Sequence, residues 1–202
     1  MRVGRLALLL SLLILTACGG PAEQRWASDA VMSQHLYRPD GPPELRLFTV
    51  VSTENGSGAH SALLITTPRE RILFDPAGSF QLSFAPERND VHFAMSPRAL
   101  AVYIDYHARE SFDVVEQRLP VTAAQAEQVA ALAKAYGAVP KAQCSVSVNR
   151  ILQQVPGFEA MRVTYFPNQT RARFATLPGV VERVITDASA DQSHGVVIQA
   201  RR

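Results

Sequence analysis

Between residues 45 and 75 the chain reads LRLFTVV, STENGSG, AHSALLIT, TPRE and RILFD, three apolar runs separated by two short polar stretches. Runs of this length, rich in Val, Ile, Leu, Phe and Thr and bounded by Gly, Asn, Ser and Pro, predict strands over 45–51, 59–66 and 71–75. The breaker Pro76-Ala77-Gly78 ends the third. Two further strands are predicted over 101–107 and 112–119, joined by a polar connection. A meander of this kind favours an antiparallel sheet.

Helices come later in the chain. Residues 122–137 open with Thr122-x-x-Gln125, a capping box, and stop at Gly137. Val129, Leu132, Ala133 and Tyr136 then share one face. A second helix is predicted over 143–155, with the stripe Val148, Ile151, Leu152 and Val155 and a stop at Pro156-Gly157. A strand over 161–166, a short helix over 168–177 and an extended piece over 180–185 complete an α+β domain spanning 45–202.

The N-terminus, MRVGRLALLLSLLILTACGG, sets the compartment. Arg2 and Arg5 precede an apolar core too short to span a bilayer, which reads as a secretion signal over 1–17. Leu15-Thr16-Ala17-Cys18 resembles the lipobox of bacterial lipoproteins. That resemblance implies cleavage before Cys18, lipidation of its sulfur and firm attachment to a membrane. Gly19 and Gly20 follow, with no Asp after the Cys, which points to the outer membrane with the protein facing the periplasm. Residues 18–44 read as the lipidated Cys and a tether, with a short helix near 27–35, where Trp26 either packs on the domain or enters the headgroup region.

Without Arg2 and Arg5, the 18 acidic residues are balanced by as many basic ones. A neutral chain with no basic run has no electrostatic reason to seek nucleic acid. The Gly-rich NGSG at 55–58 lacks the Lys and Ser/Thr of a phosphate loop, no G-x-S-x-G elbow is present, and no cofactor is expected. Asp90-Val91-His92 and Asp105-Tyr106-His107 are D-x-H pairs without zinc-type companions, so they are read as solvated strand positions and no metal is expected.

Lipidation of Cys18 would leave Cys144 as the other of two cysteines, with no partner in its own chain. An unpaired Cys in an exported protein is either a small buried hydrophobe, a thiol bridged to another protein, or a reactive thiol. Its place in the first turn of the 143–155 helix favours the thiolate, because the amides and dipole of a helix N-terminus stabilise an anion. Those amides also suit the oxyanion of an acyl transfer. A thiolate needs a proton carrier, and His60, on the strand face shared with Ala62 and Leu64, is either that imidazole or, as is commoner on such a face, a satisfied core residue.

A His opening the second strand, a short strand ending in an acidic residue, and a later helix beginning with Cys resemble the circularly permuted branch of the NlpC-type papain-like hydrolases. The stretches GAHSALLI, RILFDPAGSF and QCSVSVNRIL carry the likeness. Lecithin retinol acyltransferase-like and permuted amidase-like proteins belong to that branch. The resemblance implies a permuted papain-like fold, with an antiparallel sheet packed against a Cys-bearing helix. It also implies that Cys144 is the nucleophile, His60 its base and Asp75 the group orienting the imidazole. Relatives carry this third group earlier on the strand, where Ile72 and Leu73 stand here, and Asp75 has the alternative role of capping the 76–78 turn. Gln143 either donates toward the oxyanion or is merely the neighbour of the helix cap, while Asn149 should point away. The function implied is a periplasmic cysteine hydrolase working through a thioester on peptidoglycan stem peptides or acyl lipids. The alternative is an inactive binding or scaffolding lipoprotein on the same fold.

Overall fold

The computed structural model describes residues 20–190; the signal segment and Cys18 lie outside the described residues. The elements are α1 (Asp29–Gln34), β1 (Glu44–Ser52), β2 (Gly58–Thr66), β3 (Arg71–Phe74), β4 (Glu87–Arg88), β5 (Val91–His92), α2 (Pro97–His107), β6 (Phe112–Pro120), α3 (Ala123–Tyr136), α4 (Cys144–Leu152), α5 (Pro167–Phe174) and β7 (Val181–Ile185). The strands form one sheet in the order β4-β5-β3-β2-β1-β6-β7, and each neighbouring pair is antiparallel.

Strand periodicity divides the central apolar runs between two cores. Leu45, Leu47, Leu63, Ile65, Ile72 and Phe74 face one side, where Val129 and Ala133 of α3, Val148, Ile151 and Leu152 of α4 and Phe174 of α5 cover them. Phe48, Ala62, Leu64 and Leu73 face the other, against Ala99, Val102 and Tyr103 of α2. Both faces are covered there, so residues 62–65 and 72–74 are apolar without polar alternation.

Two sequence-based assignments are corrected. Residues 101–107 are not a strand but the greater part of α2. Ser96 caps that helix by accepting from the Ala99 amide, and Pro97 stands in its first turn, where a missing N–H costs nothing. The β-branched and aromatic run AVYIDYH suggested a strand, yet Ala99, Val102 and Tyr103 are buried at helical spacing. Residues 161–166 form no strand. Met161 and Thr164 are buried, whereas Val163, Tyr165 and Phe166 are exposed.

The predicted faces of α3 and α4 are those that pack, and Thr122 and Gln125 form the expected capping box. Upstream of the sheet, Trp26 bridges to Arg88, whose guanidinium lies 4.7 Å above the indole ring.

Two irregularities shape one end of β2. The register with β1 pairs Val50 with His60 but Val51 with Gly58, so Ala59 is an extra residue, and this bulge sits beside His60. In addition, β3 covers only residues 63–66 of β2. The His60–Ser61 stretch therefore runs on beyond the end of β3, and the N-terminus of α4 comes alongside it. Burial of Ile151 ties α4 to this sheet. Ile151→Ala should lower unfolding free energy by about 2–5 kcal/mol, read as a reduced denaturant midpoint with an unchanged slope.

Candidate active site

The structure brings Cys144, His60 and Asp75 together from three elements. His60 Nε2–H donates to Asp75 Oδ1 at 2.7 Å. With Nε2 taken, Nδ1 is the nitrogen left for Cys144, whose thiol and the His60 ring perturb each other's ionisation. His60 is part-buried, Asp75 is 1% exposed and Cys144 8% exposed.

Asp75 had two candidate roles, and its atoms divide them. Its backbone carbonyl closes the turn by accepting from the Gly78 amide at 3.1 Å, while its side chain is directed at His60. Tyr103 of α2 also donates its hydroxyl to Asp75 Oδ1, at 3.2 Å. A Cβ built on Gly78 would lie 2.0 Å from Asp75 Oδ2, a clash that requires glycine at this position. The turn is held from behind by Asp90, whose Oδ2 accepts from the Ala77 amide at 3.2 Å and the Val139 amide at 2.7 Å. Asp90 thus links the Asp75 turn to the segment leading into the cysteine helix.

At the start of α4, Ala142 adopts a positive φ of 64° and Gln143 is the N-cap residue, making no side-chain capping bond. The Gln143 amide is therefore not committed to the helix, and it stands beside the thiol in sequence. Backbone amides of Ser61 and Ser145 also act on the Cys144 sulfur, favouring its anion. The first comes from the β2 edge that β3 leaves uncovered, the second from the first helical turn. A hydrogen bond of 3.0 Å between the Ser61 and Ser145 hydroxyls fastens the strand to the helix. Asn149 donates to Ser145 O and Thr170 Oγ1, so it points toward α5 and away from the site, as expected.

The electrostatics follow from burial and pairing. Burial opposes the charged forms of all three groups, but each is overcome. For His60, the charge and hydrogen bond of Asp75 outweigh desolvation, with help from Cys144, and raise its pKa to about 10. Asp75 is held well below the usual carboxylate range, because the charge of His60 and its hydrogen bond exceed the burial penalty. Burial pushes the Cys144 thiol up, while the hydrogen bond and charge of His60, then the two amides, bring it below its ordinary value. Burial and the adjacent Asp75 charge keep Tyr103 protonated, so it remains a donor. Each shift favours a thiolate beside an imidazolium with an oriented ring, the constellation that nucleophilic thiol chemistry needs.

Sequence reasoning missed Tyr103, Gly78 and Ser61, and it read His92 and His107 as solvated. His92 is instead 2% exposed, with its ring edge-to-face on Phe80. His107 belongs to α2 and stacks on His60. Helical spacing from Tyr103 to His107 was the available signal, hidden by the strand assignment. A cavity of about 440 Å³ opens beside His60 and is lined by Gly78, Ser79, Tyr106, His107 and Phe112 among others, though not by Cys144. No family model, curated protein or solved structure matches the chain.

Iodoacetamide alkylation against pH should give wild-type Cys144 a midpoint below the ordinary thiol value of about 8.5. His60→Ala should move that midpoint upward. Gly78→Ala, which displaces the Asp75 carboxylate, should move it in the same direction. The linkage of His60 itself has a definite sign. Its folded pKa lies above the unfolded value of 6.5, so the stability it contributes is full below about 6.5 and is lost as pH rises toward 10. Thermal melts of wild type should accordingly weaken across that window more than those of His60→Ala.

Proposed function

We propose that the chain is a membrane-anchored periplasmic cysteine hydrolase on a permuted papain-like fold. The observation that carries this reading is the Cys144–His60–Asp75 cluster, in which one imidazole hydrogen-bonds a buried carboxylate and interacts with the Cys144 thiol. The order of parts is consistent with it: the His strand first, the carboxylate after the next short strand, and the Cys helix last.

In the first half-reaction the Cys144 thiolate attacks an amide or ester carbonyl and the oxyanion forms. Amides at the start of α4, with the Gln143 side chain, supply the donors for it. The tetrahedral centre collapses to a thioester as His60 passes its Nδ1 proton to the departing amine or alcohol. Neutral His60 then takes a proton from water as it attacks the thioester, and collapse of the tetrahedral centre breaks the C–S bond, leaving a free acid, the Cys144 thiolate and protonated His60. Asp75, held by Tyr103, keeps the ring in place and stabilises its imidazolium form.

The lipobox resemblance anchors this chemistry at the outer membrane through Cys18, with peptidoglycan stem peptides as the amide substrate and acyl lipids as the ester. Incubation with muropeptides and with phospholipids under reducing conditions tests the reading. Turnover of one class is expected, falling by at least about a thousandfold in Cys144→Ala. Absence of turnover for both would remove the hydrolase reading and leave the scaffolding alternative. Anchoring is tested separately. Metabolic labelling with palmitate should mark the wild-type chain and be abolished by Cys18→Ser, with release from the membrane fraction.

A further inference from the structure

One more titratable side chain meets the candidate site. The His107 ring lies parallel to that of His60, with centroids 5.8 Å apart and planes within 6°. One ligand atom each from His60, Asp75 and His107 lies within 4.8 Å of the other two.

Two further observations mark this cluster as ligand geometry. His107 Nδ1–H donates to the Tyr103 carbonyl at 2.9 Å, which places the lone pair on Nε2. A carbonyl on the far nitrogen is how metal-binding histidines are oriented. Asp75 Oδ2 is buried with no hydrogen-bond partner among the described residues. Such an oxygen is costly to leave unsatisfied, and a cation would satisfy it.

The geometry points to a divalent transition-metal site formed by His60, Asp75 and His107, with Zn²⁺ the ion its two imidazoles and one carboxylate suit best. Bonds of about 2.0–2.2 Å bring tetrahedral ligand atoms to about 3.4 Å from one another. The 2.7 Å separation of His60 Nε2 and Asp75 Oδ1 opens to that spacing, while the wider ones close by at most about 1.4 Å with a turn of one ring about its soft χ2 torsion. The fourth position faces the cavity beside Gly78 and Ser79 and takes water.

The ion replaces the proton on His60 Nε2, which leaves to solvent. Nδ1 keeps its own proton, and releasing it would leave a metal-bound imidazolate, so metal-bound His60 neither passes a proton to the leaving group nor takes one from water. Zn²⁺ is therefore an inhibitor, and proton and metal are alternative occupants of Nε2. The inhibition rests on the cysteine-hydrolase reading, whereas the binding does not.

The test uses Co²⁺ as a spectroscopic probe of the purified protein, with Zn²⁺ as competitor. Wild type and Cys144→Ala should both develop the visible absorption of a tetrahedral Co²⁺ centre without thiolate charge transfer, reversed by Zn²⁺. His107→Ala and His107→Gln should each bind at least about tenfold more weakly while keeping the wild-type melting temperature. The site is overturned by a wild type that binds no Co²⁺, by unchanged affinity in both His107 variants, or by loss of binding in Cys144→Ala. Metal binding by a protein with no turnover would leave the site standing and the hydrolase reading fallen. Turnover that persists in saturating Zn²⁺ would overturn the inhibition.

Discussion

Asp75 is a carboxylate buried to 1% exposure, and the arrangement around it follows from keeping that charge. A lone ion removed from water is far too costly to retain, so it must be paired and hydrogen-bonded. His60 supplies the opposite charge and Tyr103 a neutral donor, both on Oδ1. The turn below it needs glycine at position 78, since any side chain there meets the second carboxylate oxygen. Asp90, two amides in hand, fixes that turn to the approach of α4. The turn carrying the group that orients the imidazole is thereby tied to the segment that leads into the thiol's helix.

A second constraint concerns the unequal lengths of β2 and β3. Had β3 continued opposite His60 and Ser61, the Ser61 amide would have joined the sheet ladder and the α4 terminus would have been kept away. Because β3 stops at Phe74, that amide serves the Cys144 sulfur. The helix adds the Ser145 amide from its uncapped first turn. Two neutral donors and one imidazolium thus surround the thiolate, which explains how a buried sulfur, disfavoured as an anion by its surroundings, nevertheless has a lowered pKa.

The strands β1 to β3, β6 and the helices α3 and α4 were legible because their signals are local: apolar runs between turn residues, a capping box and terminal glycine. Cys144 and His60 were legible because the chain offers so few candidates for either role. Tyr103 and His107 were not. Their run is rich in β-branched and aromatic residues, and the signal that decides for helix, Ser96-Pro97, stands five residues before the stretch it governs. Once that stretch is read as a strand, the D-x-H spacing suggests a shared solvated face. In the helix it separates Asp105, which pairs with Arg109, from His107, which stacks on His60. Gly78 was legible only as a turn residue, since its close approach to Asp75 depends on how the turn folds back on itself.

The pair at the centre of the site is not what stability alone would select. A buried ion pair is commonly matched or bettered by apolar residues of similar volume, whereas loss of one member costs several kcal/mol because the other is left charged and unpaired. Asp75 lies at the edge of an apolar cluster containing Phe80, Leu73 and Tyr103, where an aliphatic residue would bury easily. A scaffold needing only the fold would be served by that simpler filling. What the charged pair adds is an imidazole of fixed orientation between a buried carboxylate and the Cys144 thiol, and that fixed ring is the feature on which the proposed proton transfers rest.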